Sequence, residues 1–147
     1  MNGKRVLVTT IVLFGLIQLI PYGHRHTNPP VSAEPDWDSP RTRELFFRAC
    51  KDCHSNQTKW PWYSHVAPAS WLIERDVEEA RSHFNVSEWR RRKQHSDEAA
   101  GKFRDKDMPP WFYLPLHAEA RFSDAERADF LAGLIRMFGD EDAEEGD

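Results

Sequence analysis

The sequence predicts an all-α domain behind an apolar N-terminal helix, and three observations carry the prediction. Apolar residues recur at helical spacing, helix-start signals stand in front of several of these stretches, and no stretch alternates as a half-buried strand does. The chain has 147 residues, enough for one domain with little left for a second. With 39% hydrophobic and 30% charged residues, it is neither a disordered chain nor a multi-span membrane protein. The formal net charge is −4, but six acids and no base fall in the last nine residues, so the body is close to neutral. No basic patch with interleaved aromatics marks a nucleic-acid surface, so no nucleic-acid partner is expected. The Arg90-Arg91-Arg92-Lys93 run reads as a solvated helix face, and the acidic residues 140–147 as a disordered tail.

Residues 1–23 read as a signal-anchor segment. Lys4 and Arg5 precede an apolar run from Val6 to Ile20, and adding Pro21 and Tyr22 gives 17 residues, the lower limit for a spanning helix. The basic flank places the N-terminus inside, the bilayer around the helix and the rest of the chain on the exported side. Cleavage at Val31-Ser32-Ala33 is the alternative, weakened by its distance from the apolar run. Residues 24–37, with Pro29, Pro30 and Pro35, read as an extended linker that holds the domain off the membrane.

The folded domain is expected over 38–139. Ser39 and Pro40 start a helix that carries Leu45, Phe46 and Ala49 into Cys50. An aromatic and proline-rich loop follows from Ser55 to Ala67. A second helix is predicted from Pro68 to Ser82, with Leu72, Ile73, Asp76, Val77 and Ala80 on one face. A third starts at an N-cap Ser87, with Glu88 in its first turn, and runs toward Phe103. Pro109, Pro110 and Pro115 keep Asp107 to Pro115 from being one helix. In the last helix, Ser123 and Glu126 form a capping box. Phe130, Leu131, Leu134, Ile135 and Phe138 form its stripe, and Gly139 ends it.

The only two cysteines stand in Cys50-Lys51-Asp52-Cys53-His54, a C-x-x-C-H pentapeptide that signals covalent c-type haem attachment. Two thiols at this spacing can each add to a haem vinyl group, and the adjacent histidine then lies under the iron. A zinc site would need a second ligand pair, and a thioredoxin-like pair would need a strand-turn-helix context; neither is in the sequence. For the sixth iron position Met108 is the first candidate, standing in a proline-stiffened loop, whereas Met137 reads as core packing. His83, His95 and His117 compete, His117 foremost for its nearness to Met108, while His24, His26 and His65 lie closer to the linker or the proximal side. Trp60, Trp62 and Trp71 are expected to wall the haem, with the Trp62 indole or the Tyr63 hydroxyl on a propionate. Pro61 or Pro68 is expected to offer a carbonyl to the ring of His54.

These blocks carry a resemblance to a known family. Cys50-Lys51-Asp52-Cys53-His54-Ser55, Trp60-Pro61-Trp62-Tyr63-Ser64, Pro68-Ala69-Ser70-Trp71-Leu72, Phe84-Asn85-Val86-Ser87-Glu88-Trp89, Met108-Pro109-Pro110 and Leu116-His117 occur in that family's order. The chain resembles the small bacterial haem-binding domain family of exported monohaem c-type cytochrome-like proteins over roughly two-thirds of its length. The resemblance implies a cytochrome c-like helical domain wrapped around one haem c, with Cys50 and Cys53 attached and His54 axial. The expected function is electron transfer with redox partner proteins in the periplasm, from a single-pass anchor in the bacterial inner membrane. A haem peroxidase or a gas or redox sensor with an open distal position is the alternative.

Overall fold

The computed structural model describes residues 2–91 and 94–140; Arg92 and Lys93 of the basic run and the tail from residue 141 lie outside the described residues. The helices are α1 (Gly3–Ile17), α2 (Pro40–Ala49), α3 (Lys51–His54), α4 (Ala69–His83), α5 (Ala99–Arg104) and α6 (Asp124–Phe138). Short 3₁₀ turns cover Trp62–His65 and Ala118–Ala120. Among the described residues the only β pairing is an isolated parallel bridge between Ala33 and Glu88, so the domain is all-α.

Local signals set the ends of α2 and α6. The Ser39 hydroxyl accepts from the Thr42 amide, Pro40 fills the first helical position, and the Ser123–Glu126 capping box is complete. The two helices pack closely because Gly133 of α6 lies directly against the Thr42 side chain of α2. Leu45 and Phe46 of α2, Phe103 of α5, and Phe130 and Leu134 of α6 form the buried core, joined by Phe84, Val86 and Ala100. In α4 the buried residues are Ser70, Glu74 and Val77, whereas Leu72 of the expected apolar face is 44% exposed.

Three expectations are corrected. The apolar N-terminal helix stops at Ile17, before the apolar run ends at Ile20: α1 has 15 residues, about 22 Å of rise against a hydrocarbon core of about 30 Å. No described helix is long and apolar enough to cross a membrane. At its end the Gln18 side chain reaches the domain, its amide nitrogen donating to the Ala67 carbonyl at 3.0 Å and its oxygen accepting from the Ala67 amide at 2.9 Å.

The stretch 24–37 is a strap laid on the domain, not a spacer. His26 stacks on Trp60 with ring centroids 4.5 Å apart, Asn28 donates to the Thr58 carbonyl at 2.8 Å, and Trp37 packs on Phe46 at 5.2 Å. The amides of Ser32 and Ala33 both donate to the Ser87 carbonyl, at 2.8 and 3.2 Å.

That pairing also explains the third correction. No helix starts at Ser87; among the described residues helix returns at Ala99. The Ser87 hydroxyl, expected to cap, instead accepts from the Asn56 amide at 3.0 Å, and its own amide donates to the Asn85 side chain at 2.9 Å. Arg90 and Arg91 accordingly sit exposed in a turn, outside any helix.

Candidate haem site

The C-x-x-C-H motif folds as one helical turn. Cys50 ends α2, its amide donating to the Phe46 carbonyl at 2.8 Å, and its own carbonyl accepts from Cys53 and His54 at 3.2 and 2.9 Å. Positions i, i+3 and i+4 of a helix share one side, so both thiols and the imidazole face the same way. The turn is closed by the residues that follow it. The Ser55 hydroxyl donates to the Lys51 carbonyl and the Thr58 hydroxyl to the Asp52 carbonyl, each at 2.6 Å, while the Val86 amide donates to the His54 carbonyl at 2.9 Å.

A buried polar network holds this segment in place. Asn85 donates to the Asn56 side chain at 2.7 Å, and Asn56 donates in turn to the Pro30 carbonyl and to Glu88 at 3.2 and 3.1 Å. Arg81 of α4 reaches the Ser55 carbonyl at 2.9 Å, the Thr58 hydroxyl at 2.9 Å and the Thr27 carbonyl at 2.9 Å, stitching motif and strap to one helix. Sequence reading passed over Asn56, Arg81, Asn85 and Ser87 as contributors to the site. The only local signal was the run of small polar residues directly after His54.

Cys50, Cys53 and His54 line one cavity of about 380 Å³, within the range of ligand pockets. Its apolar walls are the phenylalanines 46, 84, 103, 112 and 130, with Tyr113, Met108 and Leu134. Its polar lining includes Asp76, Glu79 and Glu98, together with Lys102, His83 and His95.

The electrostatics follow from burial. Burial pushes both thiols up to about 12, with Cys53 as the second influence on Cys50 and Asp52 on Cys53. Burial holds His54 down to about 4, against the carbonyls of Phe84 and Ala80, which favour the protonated ring. His54 is therefore a neutral imidazole at physiological pH, the form that ligates metals. Its Nδ1 donates to the Phe84 carbonyl at 3.2 Å, which leaves Nε2 as the lone-pair nitrogen. The expected carbonyl of Pro61 or Pro68 is not the partner. Burial also raises Asp76, and burial followed by the charge of Asp52 raises Tyr113, keeping its hydroxyl a donor.

Met108 lines the cavity and is 41% exposed, so it stands at the mouth. Met137 packs away from it, its sulfur accepting from the Asp38 amide at 3.0 Å. His83 and His95 line the cavity, but His117 does not; it stacks on Tyr113 at 3.6 Å. The tryptophans are misplaced by the sequence expectation. Trp60, Trp62, Tyr63 and Trp71 do not line the cavity, and Trp62 is 78% exposed. The 3₁₀ turn that carries Trp62 and Tyr63 packs beside α4, while Trp60 is taken up by His26 of the strap.

The residues present fit a haem. Two unpaired cysteines and a neutral imidazole share one wall, and flat aromatic rings supply the surface that an apolar macrocycle needs. No curated protein and no solved structure matches the chain. A family model described as a haem-binding domain matches residues 12–135, from within α1 through the strap and the motif to α6. By that match over most of its length, with the C-x-x-C-H turn set on an aromatic cavity, the chain belongs to the haem-binding domain family.

Proposed function

We propose that the protein is a monohaem c-type cytochrome that carries electrons on the periplasmic side of the bacterial inner membrane. Cys50 and Cys53 would hold one haem covalently, and His54 would ligate its iron. The observation that carries this reading is the single turn that sets both thiols and the imidazole on one aromatic cavity. When bound, the haem supplies one-electron exchange between ferrous and ferric iron. The chain's own residues hold and tune it. The Phe84 carbonyl fixes the tautomer and orientation of His54. Met108 offers a thioether from the same cavity, a ligand that raises the reduction potential. Lys102 is a lining cation suited to the propionates, and the imidazoles of His83 and His95 line the same cavity as further hydrogen-bonding groups.

Redox partner proteins dock at the mouth, where Met108 and Phe112 both line the cavity and face solvent. The N-terminal segment brings the domain to the lipid bilayer, as an export signal or as an anchor. That α1 buries none of its residues and leaves its apolar side chains exposed supports contact with lipid. A second reading, a haem peroxidase or gas or redox sensor with an open distal position, draws on His83 and His95 lining the cavity that Met108 enters.

The deciding experiment is expression with the c-haem maturation machinery, followed by a haem stain on a denaturing gel. The parent retains stain, and the Cys50→Ser, Cys53→Ser double variant loses it; an unstained parent refutes covalent attachment. In the stained protein, a sulfur-to-iron charge-transfer band that vanishes in Met108→Ala supports the electron carrier. Fast carbon monoxide binding to the ferrous parent supports the second reading instead.

A further inference from the structure

The segment from Asp107 to His117 carries Met108 and forms one wall of the cavity through Met108, Pro109, Phe112 and Tyr113. Its ends are tied by main-chain groups. The amides of Asp107 and Met108 donate to the Lys102 carbonyl at 3.0 and 3.1 Å, and Arg121 donates to the carbonyls of Leu114 and Pro115 at 3.0 and 3.2 Å. Apolar burial between those ends is uneven: Pro109 is buried, whereas Trp111 is 80% exposed.

One side chain in this stretch reaches the haem-attachment motif. The Tyr113 hydroxyl donates to Oδ2 of Asp52 at 2.9 Å, and Asp52 is the spacer residue directly before Cys53. The carboxylate is fixed at its other oxygen, Oδ1, which accepts from the Lys59 amide at 3.0 Å. The phenol ring is fixed as well. The His117 imidazole lies parallel to it, 3.6 Å away with 5° between the planes, and donates from Nδ1 to the Tyr113 carbonyl at 2.9 Å. The result is a charge-assisted, partly buried bond between two groups that cannot turn away from each other.

We propose that Tyr113 and Asp52 are positioning residues, whose hydrogen bond holds the Met108 segment over the attachment motif and so decides whether the thioether reaches the iron. The assignment rests on the haem reading above. It gives Asp52 a role that its place as a spacer in the motif does not require.

The test compares the haem-loaded full chain with Tyr113→Phe and, as a second and separate variant, Asp52→Asn. Losing one charge-assisted hydrogen bond corresponds to about a tenfold change in an opening equilibrium. Amide hydrogen exchange over residues 108–116 therefore rises about tenfold, and carbon monoxide reaches the ferrous iron about tenfold faster, while exchange in α6 and the haem stain stay at parent values. The sulfur-to-iron band weakens in step. Exchange and carbon monoxide kinetics unmoved in both variants overturn this assignment alone. Carbon monoxide binding equally fast in the parent and in Met108→Ala overturns it by removing the ligand it positions. A parent that takes up no haem overturns both the assignment and the reading beneath it.

Discussion

Nδ1 of His54 lies 3.2 Å from the Phe84 carbonyl oxygen, and the two rings stack 4.1 Å apart at 16°. The same residue thus fixes the histidine by its main chain and shields it by its ring. Phe84 stands 30 positions beyond the motif and is brought back by the Val86 amide, which donates to the His54 carbonyl at 2.9 Å. The placing of the His54 ring is therefore a tertiary product, made by the loop that leaves α4.

Burial at this spot sets a pH dependence for the haem-free protein. The folded pKa of His54 is about 4, against an ordinary 6.5. Below pH 6.5 the unfolded chain takes up a proton that the folded chain refuses until about pH 4, so stability falls as pH drops through that window. The full shift corresponds to roughly 3 kcal/mol. Urea titrations across the window show this slope in the parent and a flatter one in His54→Gln; equal slopes would sink the argument.

The thiols make a second prediction. Burial pushes Cys50 and Cys53 up to about 12 from 9.0, which leaves about a thousandfold less thiolate than an ordinary cysteine has near neutral pH. Iodoacetamide should label the folded haem-free chain correspondingly slowly, and urea should restore ordinary rates. Mass spectrometry reads both, and rapid labelling of the folded chain would contradict the burial.

How much of this was legible follows from which contacts are local. Ser39 with Pro40, and Ser123 with Glu126, set helix starts from within one turn, so the sequence pattern and the structure agree there. The motif's own turn is equally local. The Ser87 helix failed because its capping hydroxyl is claimed by Asn56, a partner 31 residues away that no window contains. The strap failed for the same reason: prolines state that residues 24–37 are extended, and only Trp60, Phe46 and Ser87 state where they lie. The cavity's phenylalanines are scattered over five separate stretches with no shared period. The dense tryptophan block, by contrast, suggests a haem wall in the sequence, yet Trp60, Trp62 and Trp71 do not line the cavity.

Glu126 carries a third prediction, at acid pH. Hydrogen bonding from the Arg48 side chain, then from the Ser123 amide, holds its pKa down to about 2 from 4.5. A carboxylate depressed in the fold stabilises above its unfolded pKa, and that contribution fades as pH falls from 4.5 toward 2. Acid unfolding of Glu126→Gln should therefore show a shallower loss across this interval than the parent does, with lower stability at pH 7. Circular dichroism during an acid titration measures it, and superimposable profiles would rule it out.

The last prediction concerns the contact that sets the distance between α2 and α6. A Cβ on Gly133 would stand 2.3 Å from the Thr42 hydroxyl oxygen, 2.7 Å from its methyl and 3.0 Å from its Cβ. Thr42 has little room to yield. It is 2% exposed, its branched side chain is stiff at χ1, and its hydroxyl is 3.0 Å from that of Ser39. Gly133→Ala must then push the helices apart, at a cost of about 1–3 kcal/mol typical of overpacking. The effect reaches the site because α2 carries Phe46 and runs into Cys50, while α6 carries Phe130 and Leu134, all of which line the cavity. Thr42→Ala removes the two nearest atoms and leaves only the contact at 3.0 Å. In that background Gly133→Ala should cost much less, a non-additivity that chemical denaturation of the four proteins in the double-mutant cycle resolves. An equal cost in both backgrounds would mean that the helices are spaced by something other than this glycine.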